Sequence, residues 1–333
     1  MRRRFLCLGL VGLGLAAPDA AIADELAQRR EILQLSGEAF RGSDWATLES
    51  LAQTYRSERS RTSSGVWKLT VLYGAIDDAI PNYQDELDER AFQAVELRIQ
   101  EWARAHPRSP SAQVAYGRAL LAHAWYFRRG KAAHLVPEAA WEPFHRYVSR
   151  ARDHLERHKT VASADPWWYQ TMIRVARAQG WERPRLEALL DEALRREPLF
   201  YQTYFEAFTY LLPKWHGDLR EIEDFANRAV ARTQAQEGMA MYARIYWFAS
   251  QKEYGTALFR SSRALWPKMK AGFDDVVSRY PDAWNLNHYA KFACLAGDRS
   301  TTRTLLGRLP GEPIASAWET PGLLDECRRW SSS

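Results

Sequence analysis

One phrase recurs four times along this chain: a proline, an aromatic or small residue close behind it, then a stretch of helical apolar periodicity. It stands at Pro107-Arg108-Ser109-Pro110, Pro166-Trp167-Trp168-Tyr169, Pro198-Leu199-Phe200-Tyr201 and Pro281-Asp282-Ala283-Trp284. Proline suits the first turn of a helix, because the N–H it lacks is one the helix could not have bonded. From Pro166 to Pro198 is about one helix-hairpin period, with the second proline opening the next pair. Stacked hairpins build a curved surface and bring no chemistry of their own. The pattern predicts architecture and leaves open what the surface holds.

Residues 1–23 read as an export signal, with Arg2, Arg3 and Arg4 as its charged start, Phe5 to Ala17 as its apolar stretch and Ala21-Ile22-Ala23 as the cleavage site before Asp24. Arg2-Arg3-Arg4-Phe5-Leu6 also fits the twin-arginine pattern, so the sequence agrees with either export route. Cys7 lacks the small residues that a lipoprotein cysteine needs before it. A bilayer span takes roughly 20 apolar residues, and no stretch of the chain is that long, so no transmembrane segment is predicted. The expected location is the periplasm or the exterior. Loss of the signal would take 46 basic and 41 acidic residues to 43 and 40, a net charge of +3. Basic residues are spread thinly, without a dense block interleaved with aromatics, which argues against nucleic acid as a partner. Cys294 and Cys327 would remain, in a compartment that tolerates disulfides. Cys294 lies on the stripe Leu286, Tyr289, Ala290, Ala293, so the sequence allows either a bridge between the two or a small core residue.

Apolar spacing of i, i+3, i+4, i+7 marks four segments as helices buried on one face. They are Ala112–Leu120, Leu186–Leu194, Ile222–Val230 and the stripe ending at Cys294. Alternating strand patterns are absent, so the fold class is all-α, a right-handed helical-hairpin (tetratricopeptide-like) solenoid. Helices are predicted over most of the chain from 24 to 330, among them 24–35, 83–105, 238–252 and 255–265. The segment 57–64, SERSRTSS, has no apolar residue to bury and is expected to be a mobile loop. The division expected is a signal peptide (1–23), an N-terminal helical region (24–106), a repeat array (107–310) and a C-terminal cap (311–333).

Several motifs resemble a known family. They include Gly65-Val66-Trp67-Lys68-Leu69 with Tyr73, Ala124-Trp125 before Arg129-Gly130, and Asp165-Pro166 with Trp168-Tyr169. Leu212-Pro213-Lys214-Trp215 with Gly217 and Tyr242-Ala243-Arg244-Ile245-Tyr246-Trp247 follow. The densest run is Trp266, Met269-Lys270 and Gly272-Phe273-Asp274-Asp275, continuing through Tyr280-Pro281, Trp284-Asn285 and Phe292-Ala293-Cys294 to Ala296-Gly297-Asp298. Together these are similar to the bacterial "domain of unknown function 4034" family, over roughly 45–300. The resemblance implies a helical-repeat fold and carries no reaction, ligand or catalytic residue. His216 follows Trp215 where the family has a small residue.

Phosphate-loop, nucleophile-elbow and H-E-x-x-H patterns are absent, and no cofactor or metal site is predicted. His154 and His158, four apart with His145 nearby, could face a metal, but Arg150, Arg152 and Arg157 surround them and a solvated helix face explains them better. Asp77-Asp78 and Asp274-Asp275 are adjacent pairs, which a helix turns about 100° apart, so neither makes an acid–base site alone. His216, in a turn, is the best placed histidine for chemistry. The 14 tryptophans are the anomaly. Most suit inter-helix packing, yet Trp215 and Trp284, with Asn285 and Asn287 nearby, could anchor a ligand, and Trp67 and Trp125 are further candidates. The reading that results is an exported binding or scaffold protein that takes another envelope protein or peptide on its concave face. The alternatives are a glycan- or peptidoglycan-binding module using the same aromatics, and an enzyme of unfamiliar type built on His216.

Overall fold

A computed structural model describes residues 24–81 and 89–333. The segment read as an export signal and the start of the helix predicted at 83 lie outside the described residues. The helices are α1 (Glu25–Arg41), α2 (Trp45–Ser57), α3 (Lys68–Asp78), α4 (Glu89–Ala105), α5 (Pro110–Arg128) and α6 (Trp141–Arg157). There follow α7 (Lys159–Ala162), α8 (Trp167–Gln179), α9 (Arg183–Arg196), α10 (Tyr201–Tyr210), α11 (Leu219–Glu237) and α12 (Ala240–Ala249). The chain continues through α13 (Leu258–Ser261), α14 (Trp266–Arg279), α15 (Ala283–Leu295), α16 (Arg299–Arg308), α17 (Ala315–Trp318) and α18 (Leu323–Ser332). Among the described residues extended pairing is limited to one isolated bridge, Arg61 to Trp67. The chain is all-α.

The four proline phrases open α5, α8, α10 and α15, which are helices buried on almost every side. Pro110 is in the first turn of α5, Pro166 precedes α8, and Phe200 and Asp282 cap α10 and α15 just after their prolines. α3, α5, α8, α10 and α12 pack each on the next as an inner row. Against this row lie α6, α9, α11 and α14, whose apolar residues form a single stripe, as Ile222, Phe225, Ala226, Ala229 and Val230 do on α11. A helix polar on one face can border water, whereas one apolar all round must be covered on both sides. This difference sorts the helices into layers.

Helix ends follow local chemistry. The left-handed backbone of Gly180 ends α8, with its N–H bonded to the Ala176 carbonyl. Asp218 and Glu221 form a reciprocal cap at the start of α11. Two predicted helices differ. The one at 24–35 runs on to Arg41, because Ala39 and Phe40 continue the buried stripe begun by Ile32. The one at 255–265 is reduced to a 3₁₀ turn and the single turn of α13. There Ser262 becomes extended while its hydroxyl bonds back to the Leu258 carbonyl at 2.7 Å.

The segment expected to be mobile is instead fixed inside the array. Thr62 and Ser64 are buried, and Ser63 donates to Asp282 at 2.7 Å. Arg59 forks onto Glu197 at 2.8 and 2.9 Å, and the Ser64 carbonyl accepts from Arg244 and Asn285, both at 3.2 Å. Polar groups hold this strap, so a test for apolar content misses it. Through it and through α1, which touches α15, the N-terminal region is joined to the far end of the array.

Cys294 on α15 is disulfide-bonded to Cys327 on α18, tying the C-terminal helices to the array. The bridge closes a loop with a sequence separation of 33, and removing it as Cys327→Ser should cost about 2–4 kcal/mol. Urea unfolding with and without reductant measures this. Equal midpoints, or two freely alkylatable thiols in native-source protein, would show that the bridge contributes nothing there.

Candidate functional site

On α5, Arg118, Ala122, Trp125 and Arg128 fall at spacings of four, three and three, so they share one helix face. On α8, Arg174 and Arg177 are three apart and share another. These two faces, with the end of α3, the turn after α10 and the π-helical turn Ser250–Tyr254 after α12, enclose a cleft of about 1130 Å³. Its charged lining is Arg118, Arg128, Lys131, Arg174, Arg177, Lys214 and Lys252 against Asp77 and Asp78.

Three of these cations are matched by carboxylates. Arg118 pairs with Asp77 and donates to Gln170 at 3.1 Å. Arg177 donates twice to Glu206, at 3.1 and 2.9 Å, and Gln170 donates to the same carboxylate at 3.0 Å. Lys214 pairs with Glu253. Arg128 differs. It is only 8% exposed, and among the described residues its one hydrogen bond runs from Nε to the Lys131 carbonyl at 3.4 Å. Its guanidinium lies 4.9 Å from the ring centre of Trp215, 5.0 Å from Trp125, 5.4 Å from Trp141 and 5.5 Å from Phe144. Desolvation, with Arg177 beside it, lowers its pKa. Desolvation likewise lowers that of Lys252, where Arg177, Arg174 and Lys214 together with burial outweigh Glu206. Among the described residues the cleft thus holds more positive charge than its carboxylates balance.

Trp125 and Trp215 meet here edge to face, 5.9 Å apart. The other tryptophan and asparagine candidates lie elsewhere. Trp67 is 1% exposed and packs on Phe200 at 5.3 Å. Trp284 is half-buried between Arg29 at 5.2 Å and His288 at 4.6 Å. Asn285 is fully buried and donates to the Ser64 and Tyr280 carbonyls at 3.2 and 2.9 Å. Asn287 accepts from the Ile314 N–H and the Trp318 indole, each at 3.1 Å, which fastens the C-terminal segment. Trp67, Asn285 and Asn287 therefore belong to the frame, because a side chain without exposed surface cannot meet a partner.

His216 is exposed beside the cleft, but its Nε2–H donates to the Arg177 carbonyl at 3.0 Å, so it holds a turn in place. Asp274 accepts from the Tyr289 hydroxyl at 2.6 Å and Asp275 from the Met239 N–H at 2.6 Å, both in packing contacts. His154 bonds the Gln113 carbonyl at 3.1 Å, and burial lowers its pKa to about 4. Among the described residues, no group of three His, Cys, Asp or Glu side chains is placed to hold a metal ion.

Of the residues that line this cleft, the sequence singles out Trp125 and Trp215 as candidates but not Arg128, Arg174, Arg177 or Lys252. One signal was present: Arg174 and Arg177 interrupt α8, a helix otherwise buried nearly all round. Set against known protein families, curated proteins and solved structures, the chain matches none.

Proposed function

We propose that this is an exported binding protein that holds a segment of another envelope macromolecule in the cleft between α5, α8 and the turn after α10. The observation that carries this reading is the cleft itself. Small-molecule sites run to about 300–1,000 Å³ and are mostly apolar, whereas this one is about 1130 Å³ and lined by seven cations. A wide, polar concavity on stacked helices suits a polymer segment, and repeat proteins bind on their concave faces. The motif Ala21-Ile22-Ala23 supports export. An enzyme is supported less, because His216 has its Nε2–H engaged by a backbone carbonyl.

The test is site-specific photocrosslinking in the native envelope, from Lys131 and Lys214 in the cleft and from Glu312, which lies outside its lining. Both cleft positions should give adducts with one common partner, and position 312 should not. Adducts from position 312 alone would place the binding surface elsewhere.

A further inference from the structure

We infer that the cleft receives an acidic peptide segment, whose carboxylates are taken by Arg128, Arg174 and Lys252. The inference rests on the cleft being the binding surface and adds the chemistry of what binds. Arg128 is its centre. This guanidinium is more than nine-tenths buried, and its terminal nitrogens make no hydrogen bond among the described residues. A guanidinium fork matches a carboxylate through two parallel bonds. A ligand carboxylate entering the cleft would supply the missing acceptor.

Arg174 and Lys252 extend the pattern. Among the described residues no carboxylate forms an ion pair or hydrogen bond with either, although Arg118, Arg177 and Lys214 each have one. Glu206 acts on both through space but is bonded to Arg177 and Gln170. The unmatched charge therefore lies on three separate elements: the end of α5, the middle of α8 and the turn Ser250–Tyr254. One small anion meets one of these. A chain bearing several carboxylates can meet all three. Burial and, after it, the neighbouring Arg177, Arg174 and Lys214 lower the pKa of Lys252, and the same anions relieve the repulsion among these cations.

A sugar polymer is disfavoured by the tryptophans themselves. Sugar stacking needs a bare ring face. Here the guanidiniums of Arg128 and Arg177 lie over both Trp125, at 5.0 and 5.6 Å, and Trp215, at 4.9 and 4.7 Å. The rings serve as walls that orient cations, and the cations are what a ligand meets.

The experiment is fluorescence anisotropy with labelled oligoglutamate, oligoglutamine and an oligogalacturonate, using the full mature chain. Oligoglutamate should bind at least about tenfold more tightly than oligoglutamine, and should weaken as salt rises from about 20 to about 300 mM. Arg174→Gln and Lys252→Gln, both in partly open positions, should keep the helical circular dichroism and each lose about tenfold in affinity. Arg128→Lys, which keeps the charge but loses the fork, should weaken binding similarly. Equal binding of the two peptides, unchanged affinity in these variants, or tight binding of oligogalacturonate alone would overturn the inference. If oligoglutamate fails while cleft positions still crosslink one partner, the acidic-peptide chemistry falls and the cleft stands. If both fail, the cleft falls with it.

Discussion

Replacing Trp168 by alanine is expected to lower the unfolding free energy by about 3–5 kcal/mol, the range for deleting a large ring from a packed interior. Trp168 is the second residue of α8, two positions after Pro166, and is 2% exposed. Its indole N–H donates to the Leu155 carbonyl at 2.9 Å, which links α8 to the last turn of α6. The alanine variant leaves both a cavity and an acceptor without its donor. Trp168→Phe should cost less, since it keeps a six-membered ring in the site and loses the smaller part of the indole with its N–H. Urea unfolding followed by far-ultraviolet circular dichroism measures both. A change within about half a kcal/mol for the alanine variant would mean that the ring is solvated.

The same residue shows what local pattern can and cannot reveal. A proline, an aromatic residue and a helical stripe are contiguous, and so the inner helices could be placed from their openings. The layering follows too, because a helix that is apolar on nearly every side, such as α10 or α15, has to be covered on both sides by its neighbours. Asn285 and Asn287 could have been judged by the same rule, since both lie within the all-round apolar stretch of α15. Their polarity suggested a ligand, while their hydrogen bonds go to Ser64, Tyr280, Ala283, Ile314 and Trp318.

The cleft was less legible for a physical reason. Arg128 becomes a caged cation only when Trp141 and Phe144 on α6 and Trp215 beyond α10 surround it. Those partners are between 13 and 87 positions away, and no periodicity joins them. The charge excess has the same origin. It depends on which arginine each carboxylate reaches, and pairing of this kind is decided by tertiary packing.

The strap should fail in a way that a surface loop would not. Glu25 is 1% exposed, and its carboxylate accepts from the Thr62 hydroxyl at 2.9 Å and the Ser64 N–H at 2.8 Å, with Arg29 alongside. Glu25→Ala would leave buried donors unmade at about 1–3 kcal/mol each, so a loss of about 3–5 kcal/mol is expected. Desolvation raises the pKa of Glu25, but Arg29 and these hydrogen bonds outweigh it and hold the value low. Its contribution is therefore present above the ordinary 4.5 and lost as pH falls through the lowered folded value. Asp282, which accepts from Ser63, is raised by desolvation and by Glu25, so its contribution has the opposite sign and partly offsets the loss in acid. The variant should remove the acid-dependent part due to Glu25 and speed hydrogen exchange at the Ser64 amide. Asp24→Ala, at the exposed cap of α1, should cost only about 1 kcal/mol and leave that amide protected. If Glu25→Ala costs no more than this control and the amide stays protected, the strap is held by Arg59, Arg61 and Trp67 without the N-terminal helix.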